Sequence, residues 1–156
     1  VDVTIEEFTE EDVEELEELF KIVWSKAYEY PAHWRKKRQI TKEQIKKEMR
    51  SGYHFFGARN TDGSIVGVYK LIMTEEGCFG EHQSILPGYT GKKVASAMYE
   101  QFIHYAKVHN CKKNYVYVLE SHDACKHLVD KYGFVEVDAF EQAPGMKVYK
   151  YERGIG

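Results

Sequence analysis

The sequence predicts an α/β (α+β) fold, in which a mixed, mostly antiparallel sheet takes in one parallel strand pair. Three observations predict it. Residues 53–59 and 65–73 are β-rich and flank Thr61-Asp62-Gly63-Ser64, an Asp-Gly hairpin signal. The stretch from Gln83 to Tyr99 changes period at Pro87. Short strand-like residues give way to apolar residues at helical spacing: Val94, Met98, Phe102 and Tyr105. After that helix comes a short apolar strand over residues 115–119. A strand, a crossover helix and a strand of this length form a βαβ unit, whose strands run parallel. With 43% hydrophobic and 30% charged residues, the 156-residue chain has the balance of a globular protein. We expect residues 1–156 to form a single domain with a substantial core.

In chain order, Val3 and Ile5 alternate with Thr4 and Glu6, which predicts a first strand over residues 1–8. Thr9-Glu10-Glu11-Asp12 is patterned as a capping box, with Asp12 as a shorter substitute for Glu. It opens a helix whose apolar face runs through Val13, Leu16, Phe20, Val23 and Ala27, with Leu19 and Trp24 flanking. The acids from Glu10 to Glu18 suit a helix start, where the dipole favours negative charge. They read first as a solvated face and second as a lure for cationic substrates. Pro31 disfavours helical geometry at Tyr30, so Tyr28 to Trp34 interrupt the helix. Arg35-Lys36-Lys37-Arg38 then reads first as a solvent-facing run and second as an acid-binding patch. Thr41-Lys42-Glu43-Gln44 is a second capping box, opening a short helix with Ile45 and Met49 inward and Ser51-Gly52 at its end. Residues 79–86 form the fourth strand. Past the 115–119 strand, Ser121 caps a helix that runs through Lys131 and closes at Gly133. Strands over 134–137 and 146–151 are joined by a loop containing Pro144-Gly145.

The formal net charge of -3 gives no basic field for nucleic acid. No apolar run approaches the ~20 residues of a spanning helix, so no membrane partner is expected. Cys78, Cys111 and Cys125 are odd in number and scattered, which is neither a disulfide framework nor a zinc spacing; no metal site is expected. The acidic start shows no signal-peptide pattern, and these features together point to a cytoplasmic protein.

The chemistry gathers at Pro87-Gly88-Tyr89-Thr90-Gly91, followed by Lys92 and Lys93. A strand that breaks into a Gly-containing turn and opens a helix makes an anion site. The first helical N–H groups have no intrahelical partner, and the dipole adds partial positive charge. Gly91 permits close backbone approach, and two lysines add full charges. These residues alone leave two readings open, a phosphate or pyrophosphate cradle and an ordinary strand-to-helix connection.

Three stretches then carry a resemblance. Asp62-Gly63-Ser64-Ile65-Val66-Gly67 is the hairpin entering the third strand. Ile85-Leu86-Pro87-Gly88-Tyr89-Thr90-Gly91-Lys92-Lys93-Val94-Ala95 is similar to V-x-P-x-Y-R-G-x-G-x-G/A. Residues 122–134, ending Lys131-Tyr132-Gly133-Phe134, are similar to N-x-x-A-x-x-L-Y-E-K-L-G-F. In this order, over nearly the whole chain, they resemble the GNAT superfamily of acetyl-CoA-dependent N-acetyltransferases. The resemblance implies about seven strands, a splayed parallel pair at the centre of the sheet and helices on both faces. There are departures. The family's Arg or Gln is Thr90 here, its middle Gly is Lys93, its Asn is His122 and its Ala is Cys125. The Tyr often used as general acid aligns with Val129, and Tyr132 takes the place of a Leu.

The resemblance implies acetyl-CoA as cosubstrate and direct acetyl transfer to a primary amine, on a small molecule or a peptide. Its pyrophosphate would lie on the loop and helix-start amides of Thr90, Gly91, Lys92, Lys93, Val94, Ala95 and Ser96. Main-chain groups of Ile85 and Leu86 would hold the pantetheine, with an N–H there for the developing oxyanion. His122 and Cys125 would border the thiol end. Glu81 is the first candidate base and His82 the second, its ordinary pKa of about 6.5 suiting base work. Each also has a bland reading, Glu81 as a solvated carboxylate and His82 as a hydrogen-bonded structural histidine. Strand period places Glu81, Gln83 and Ile85 on one face and His82 and Ser84 on the other. Acceptor contacts are expected from Tyr28, Tyr30 and Trp34, with a loop over residues 140–145. The alternative is a non-catalytic CoA-binding module that senses acyl-CoA or pairs with another subunit. A homodimer through the C-terminal strands is the oligomer that the resemblance implies.

Overall fold

The computed structural model describes residues 3–91 and 93–155. It contains a seven-stranded sheet of order β1-β2-β3-β4-β5-β7-β6. Its strands are β1 (Ile5–Glu7), β2 (His54–Arg59), β3 (Ile65–Met73), β4 (Cys78–Ile85), β5 (Lys113–Leu119), β6 (Val135–Ala143) and β7 (Met146–Gly154). Five α-helices are described: α1 (Val13–Ser25), α2 (Ala32–Arg38), α3 (Lys42–Arg50), α4 (Val94–Val108) and α5 (Asp123–Lys131). The expected parallel pair is β4–β5, with Cys78 opposite Asn114 and Phe79 opposite Tyr115. The pairs β1–β2, β2–β3, β5–β7 and β6–β7 are antiparallel. No described helix is long and apolar enough to cross a membrane. Two compact units make up the chain. One comprises the residues up to Ile72 with His82–Met98, the other Met73–Glu81 with the residues from Tyr99 on.

In the first unit, Thr9 forms its expected box with Asp12, but the box closes a 3-10 turn, Glu10–Asp12, that precedes α1. The buried seam of α1 is Val13, Leu16, Leu19, Phe20 and Trp24. Trp24 therefore replaces Val23, because its indole N–H reaches Ser84 on β4 at 2.7 Å. Pro31 does not merely interrupt the chain. It occupies the N-cap of α2, a helix the sequence reading missed, and its carbonyl accepts the first bond from Arg35 N–H at 3.0 Å. Thr41 caps α3 by accepting from Gln44 N–H at 3.2 Å. The Gln44 side chain turns outward to Glu48, and Glu17 from α1 takes the Lys42 N–H at 2.7 Å. Other acids of the N-terminal cluster are also engaged: Glu10 with Arg50, and Asp12 and Glu15 with Arg59.

Two glycines set the spacing of the strands. A Cβ on Gly57 would fall 1.9 Å from the Gly67 carbonyl oxygen and 2.8 Å from the Phe8 ring. A Cβ on Gly67 would fall 2.7 Å from Val94 Cγ1, at the first residue of α4. Such approaches are shorter than any carbon contact tolerates, so the backbone comes as near as it does only because the side chains are absent.

In the second unit, Phe102 of α4 lies on Gly80 of β4, where a Cβ would be 2.8 Å from the ring. Asn114 ties β5 to α4 by donating to the Phe102 carbonyl at 3.0 Å. The expected Ser121 cap is not formed; His122 occupies the N-cap of α5 and makes no side-chain cap bond. Gly133 does close α5, at φ +79°. β6 and β7 are longer than expected and meet at Pro144-Gly145, so residues 140–143 are strand and not loop. β6 is an edge strand without a buried face, which leaves no alternating signal to read.

Candidate active site

Tyr89 N–H closes the turn after β4 onto the Leu86 carbonyl at 3.0 Å. Asn60, which also accepts from the N–H groups of Asp62 and Ser64, donates to the Tyr89 hydroxyl at 3.1 Å. The Asp-Gly hairpin thus steadies the turn. Gly88 (φ +92°), Gly91 (φ +76°) and Lys93 (φ +67°) are all left-handed. A Cβ on either glycine would meet nothing within 4 Å, so space beside the turn is open. Left-handed residues ahead of a helix start can turn backbone N–H groups toward a ligand, the arrangement that anion sites use. Thr90, Gly91 and Lys93 are exposed there; Val94 is buried, and Ala95 and Ser96 are half-buried in the first turn of α4. The first α4 backbone bond runs from Ala97 N–H to the Lys93 carbonyl. Lys92 lies outside the described residues.

β4 is not a regular strand. His82 has φ +64°, a left-handed value in the middle of the strand. Three interactions hold it there. Its ring stacks on Phe20 at 4.4 Å, its Nε2 meets the Arg38 carbonyl at 2.8 Å, and its own carbonyl accepts from Ser84 Oγ at 3.1 Å. Ser84 Oγ in turn accepts from Trp24 Nε1. A backbone kink of this kind costs about 1–3 kcal/mol and persists where its surroundings over-determine it. Because a carbonyl only accepts, Nε2 carries the imidazole proton. Burial, reinforced by the charges of Arg38 and Lys70, holds the His82 pKa well below the ordinary histidine value. His82 is therefore a neutral, buried ring with its N–H committed.

In the second unit, Gly80 points at Phe102 of α4, and the Phe79 ring stacks on Tyr115 at 5.0 Å. In the first unit, Ile85 lies with Val94 of α4 beside Gly67. Glu81 is half-buried. Leu86 N–H donates to the Val66 carbonyl at 2.9 Å, so it is unavailable to a ligand. By ladder alternation, the backbone groups of Ile85 point away from β3.

The acceptor candidates gather around α2. Tyr30 is buried, edge-on to Trp24 at 5.3 Å and stacked with Trp34 at 6.4 Å. Tyr28 is 76% exposed, with the Arg35 guanidinium 5.0 Å from its ring centre. The Arg38 guanidinium lies over Trp34 at 4.3 Å and over Trp24 at 5.5 Å.

In the second unit, half-buried Cys125 lies on the first turn of α5, just after half-buried His122. The hydroxyl of buried Tyr99 is within hydrogen-bonding reach of the Cys125 thiol, and burial together with that thiol pushes the Tyr99 pKa well up. Val129 is fully buried, and the Tyr132 hydroxyl donates to Glu100 at 2.8 Å.

The profile of the Acetyltransferase (GNAT) family matches residues 13–134. The chain belongs to that family. Among solved structures, PaiA N-acetyltransferase from Thermoplasma acidophilum, in complex with coenzyme A, is similar at TM-score 0.78 and 19% identity, over 98% of this chain and 100% of that one. The ribosomal-protein-S18-alanine N-acetyltransferase of Escherichia coli is similar at TM-score 0.79 and 13% identity, over 99% and 95%. A spermidine N-acetyltransferase SpeG chimera from Vibrio cholerae and hSSAT is similar at 0.77 and 16%, over 99% and 96%. At these identities the likenesses show the fold. No curated protein matches by sequence.

This GNAT protein also places residues that sequence reasoning did not single out. Ser84 and Trp24 are 60 positions apart, and no local pattern joins them. Arg38 is hidden in a run of four like charges, and Tyr99 in an apolar helix face. Lys93 at the family's middle glycine is legible in hindsight, since its left-handed backbone is what a glycine there would supply.

Proposed function

We propose that the chain is an N-acetyltransferase that moves an acetyl group from acetyl-CoA to a primary amine by direct transfer. The observation that carries this reading is the turn with Gly88, Gly91 and Lys93 left-handed, opening onto α4. The donor set fits a pyrophosphate: main-chain N–H groups at a helix start, open space beside the glycines and a lysine on the turn. Acetyl-CoA supplies the activated thioester carbonyl. The amides of Thr90 to Ser96 hold the diphosphate, and Ile85 backbone groups orient the carbonyl. With Leu86 N–H bonded to Val66, the oxyanion donor falls to Ile85. As the C–N bond forms and the C–S bond breaks, the amine gives up one proton. Glu81 is the base this reading assigns, because the His82 ring is buried with its N–H engaged. Buried Val129 offers no proton to the leaving thiolate, and a thiolate can leave without an acid.

A titration of thermal stability with CoA, acetyl-CoA and ATP tests the reading. At about 100 times the dissociation constant, binding adds roughly 2.7 kcal/mol. Both CoA species should raise the melting temperature and ATP should not. Gly91→Val, forced into a left-handed backbone, should weaken CoA binding at least tenfold. Glu81→Gln should lower turnover and leave acetyl-CoA affinity nearly unchanged. No shift with either CoA species would overturn the reading. Val129 in the place of the family's acid favours one alternative, a non-catalytic CoA-binding module. A CoA shift without acetyl transfer to any amine would select it.

A further inference from the structure

Helix α2 carries an unbroken run of positive charge. Arg35, Lys36, Lys37 and Arg38 follow one another on α2, which carries no acidic residue. Some cations elsewhere have carboxylate partners: Lys42 with Glu14, Arg50 with Glu10, Arg59 with Asp12, Lys70 with Glu48, and Lys113 and Lys150 with Glu76 and Glu152. Among the described residues, none of these ion pairs includes Arg35, Lys36 or Lys37. Arg35 bonds instead to the carbonyls of Tyr30 (3.3 Å) and Ser25 (3.4 Å), which leave its charge uncancelled.

A second observation is independent of the charges. Trp34 Nε1 is buried and has no hydrogen-bond partner among the described residues. An indole N–H can only donate, and a buried donor without an acceptor costs about 1–3 kcal/mol. The other tryptophan shows the contrast, since Trp24 Nε1 donates to Ser84 Oγ at 2.7 Å. The orphaned donor lies in a ring over which the Arg38 guanidinium sits at 4.3 Å. Arg38 is also the residue whose carbonyl ties α2 to β4 at His82. A donor and a cation thus stand together beside the strand that carries the proposed chemistry. Four acids of the N-terminal cluster are already engaged: Glu10, Asp12, Glu15 and Glu17 bond to Arg50, Arg59 and Lys42 N–H.

We infer that the acceptor is an amine that also carries a carboxylate, and that the carboxylate is received by Trp34 Nε1–H and the cations of α2. The inference rests on the acetyltransferase reading and narrows it. A carboxylate supplies the missing acceptor and balances the charge of α2. A polyamine supplies neither and is repelled.

The test uses the full chain with acetyl-CoA and matched acceptors: the L-amino acids, their C-terminal amides, and spermidine as the cationic comparator. The best amino acid should exceed its own amide at least tenfold in kcat/KM, and spermidine should be poorer still. Trp34→Phe keeps a ring and removes the N–H, so it should narrow the acid-to-amide ratio several-fold. A second readout does not need turnover. Of the two indole N–H resonances in a ¹⁵N spectrum of CoA-saturated protein, that of Trp34 should move on titration with the amino acids and stay in place with the amides. If amides or spermidine equal the acids, the inference falls. If no amino acid moves the Trp34 resonance, it falls as well. Failure of CoA itself to bind, seen in the thermal titration, marks instead the failure of the acetyltransferase reading.

Discussion

Ser84→Ala is the most informative single change in the kinked strand. Ser84 and Trp24 are both buried, and the hydroxyl does two things at once. It accepts from the Trp24 indole at 2.7 Å and donates to the His82 carbonyl at 3.1 Å. Alanine fills nearly the same space and removes both bonds. Leaving the indole N–H buried without an acceptor costs about 1–3 kcal/mol, and the lost hydroxyl–carbonyl bond about 1 kcal/mol more. We expect a loss of roughly 2–4 kcal/mol, which in a protein of this size lowers the melting temperature by about 4–16 °C. Urea unfolding followed by far-ultraviolet circular dichroism measures it, with the denaturant slope unchanged. Trp24→Phe removes the donor instead. The double variant Trp24→Phe/Ser84→Ala should then lose at least about 1 kcal/mol less than the sum of the single changes. A Ser84→Ala cost under about 0.5 kcal/mol, or singles that simply add, would refute the claim that this relay holds the kink.

Two further outcomes are expected. His82 stays neutral in the folded protein, whereas in the unfolded chain it takes a proton near the ordinary value of 6.5. Unfolding therefore binds a proton at low pH. The stability it contributes is present above about pH 6.5 and lost as pH falls below it, by up to about 1.4 kcal/mol per pH unit. His82→Asn, which tolerates the left-handed backbone, should flatten the dependence of the urea midpoint on pH between 5 and 7; an unchanged slope counts against a buried neutral ring. Lys93→Gly should relieve a left-handed backbone that costs an L-residue about 1 kcal/mol, raising the melting temperature by about 2–4 °C. A lower melting temperature in calorimetry would show that the lysine side chain contributes more than its backbone costs.

Much of the fold was legible because its signals are local. The Thr9 box, the Asp62-Gly63 hairpin, the period change at Pro87 and the closing Gly133 each depend on residues within a few positions of one another. Helix α2 was not legible, because Pro31 reads as a breaker whether it ends one helix or starts the next. β6 was read short because both of its faces are exposed, so no apolar alternation marks its length. In the candidate site, the turn was visible as a motif. The left-handed backbone at His82 was not, because strand period carries no mark of it. The relay from Trp24 through Ser84 to His82 joins α1 to β4, and nothing in either stretch names the other.

The two strand glycines bear on which mutations the protein can accept. Gly57 and Gly67 make no contact that chemistry requires, yet each stands where a methyl group has nowhere to go. Gly67 is the more consequential. Its missing side chain is what lets Val94 rest against β3, and Val94 begins the helix whose first amides follow the anion turn. A saturation library at residue 67 should therefore be depleted at every substitution, like an active-site position. The smallest one, alanine, would act as a shim, since its Cβ at 2.7 Å from Val94 Cγ1 forces the helix start or the strand to shift. On the proposed reading, affinity at the turn is thus sensitive to a residue of the neighbouring strand through its packing on Val94.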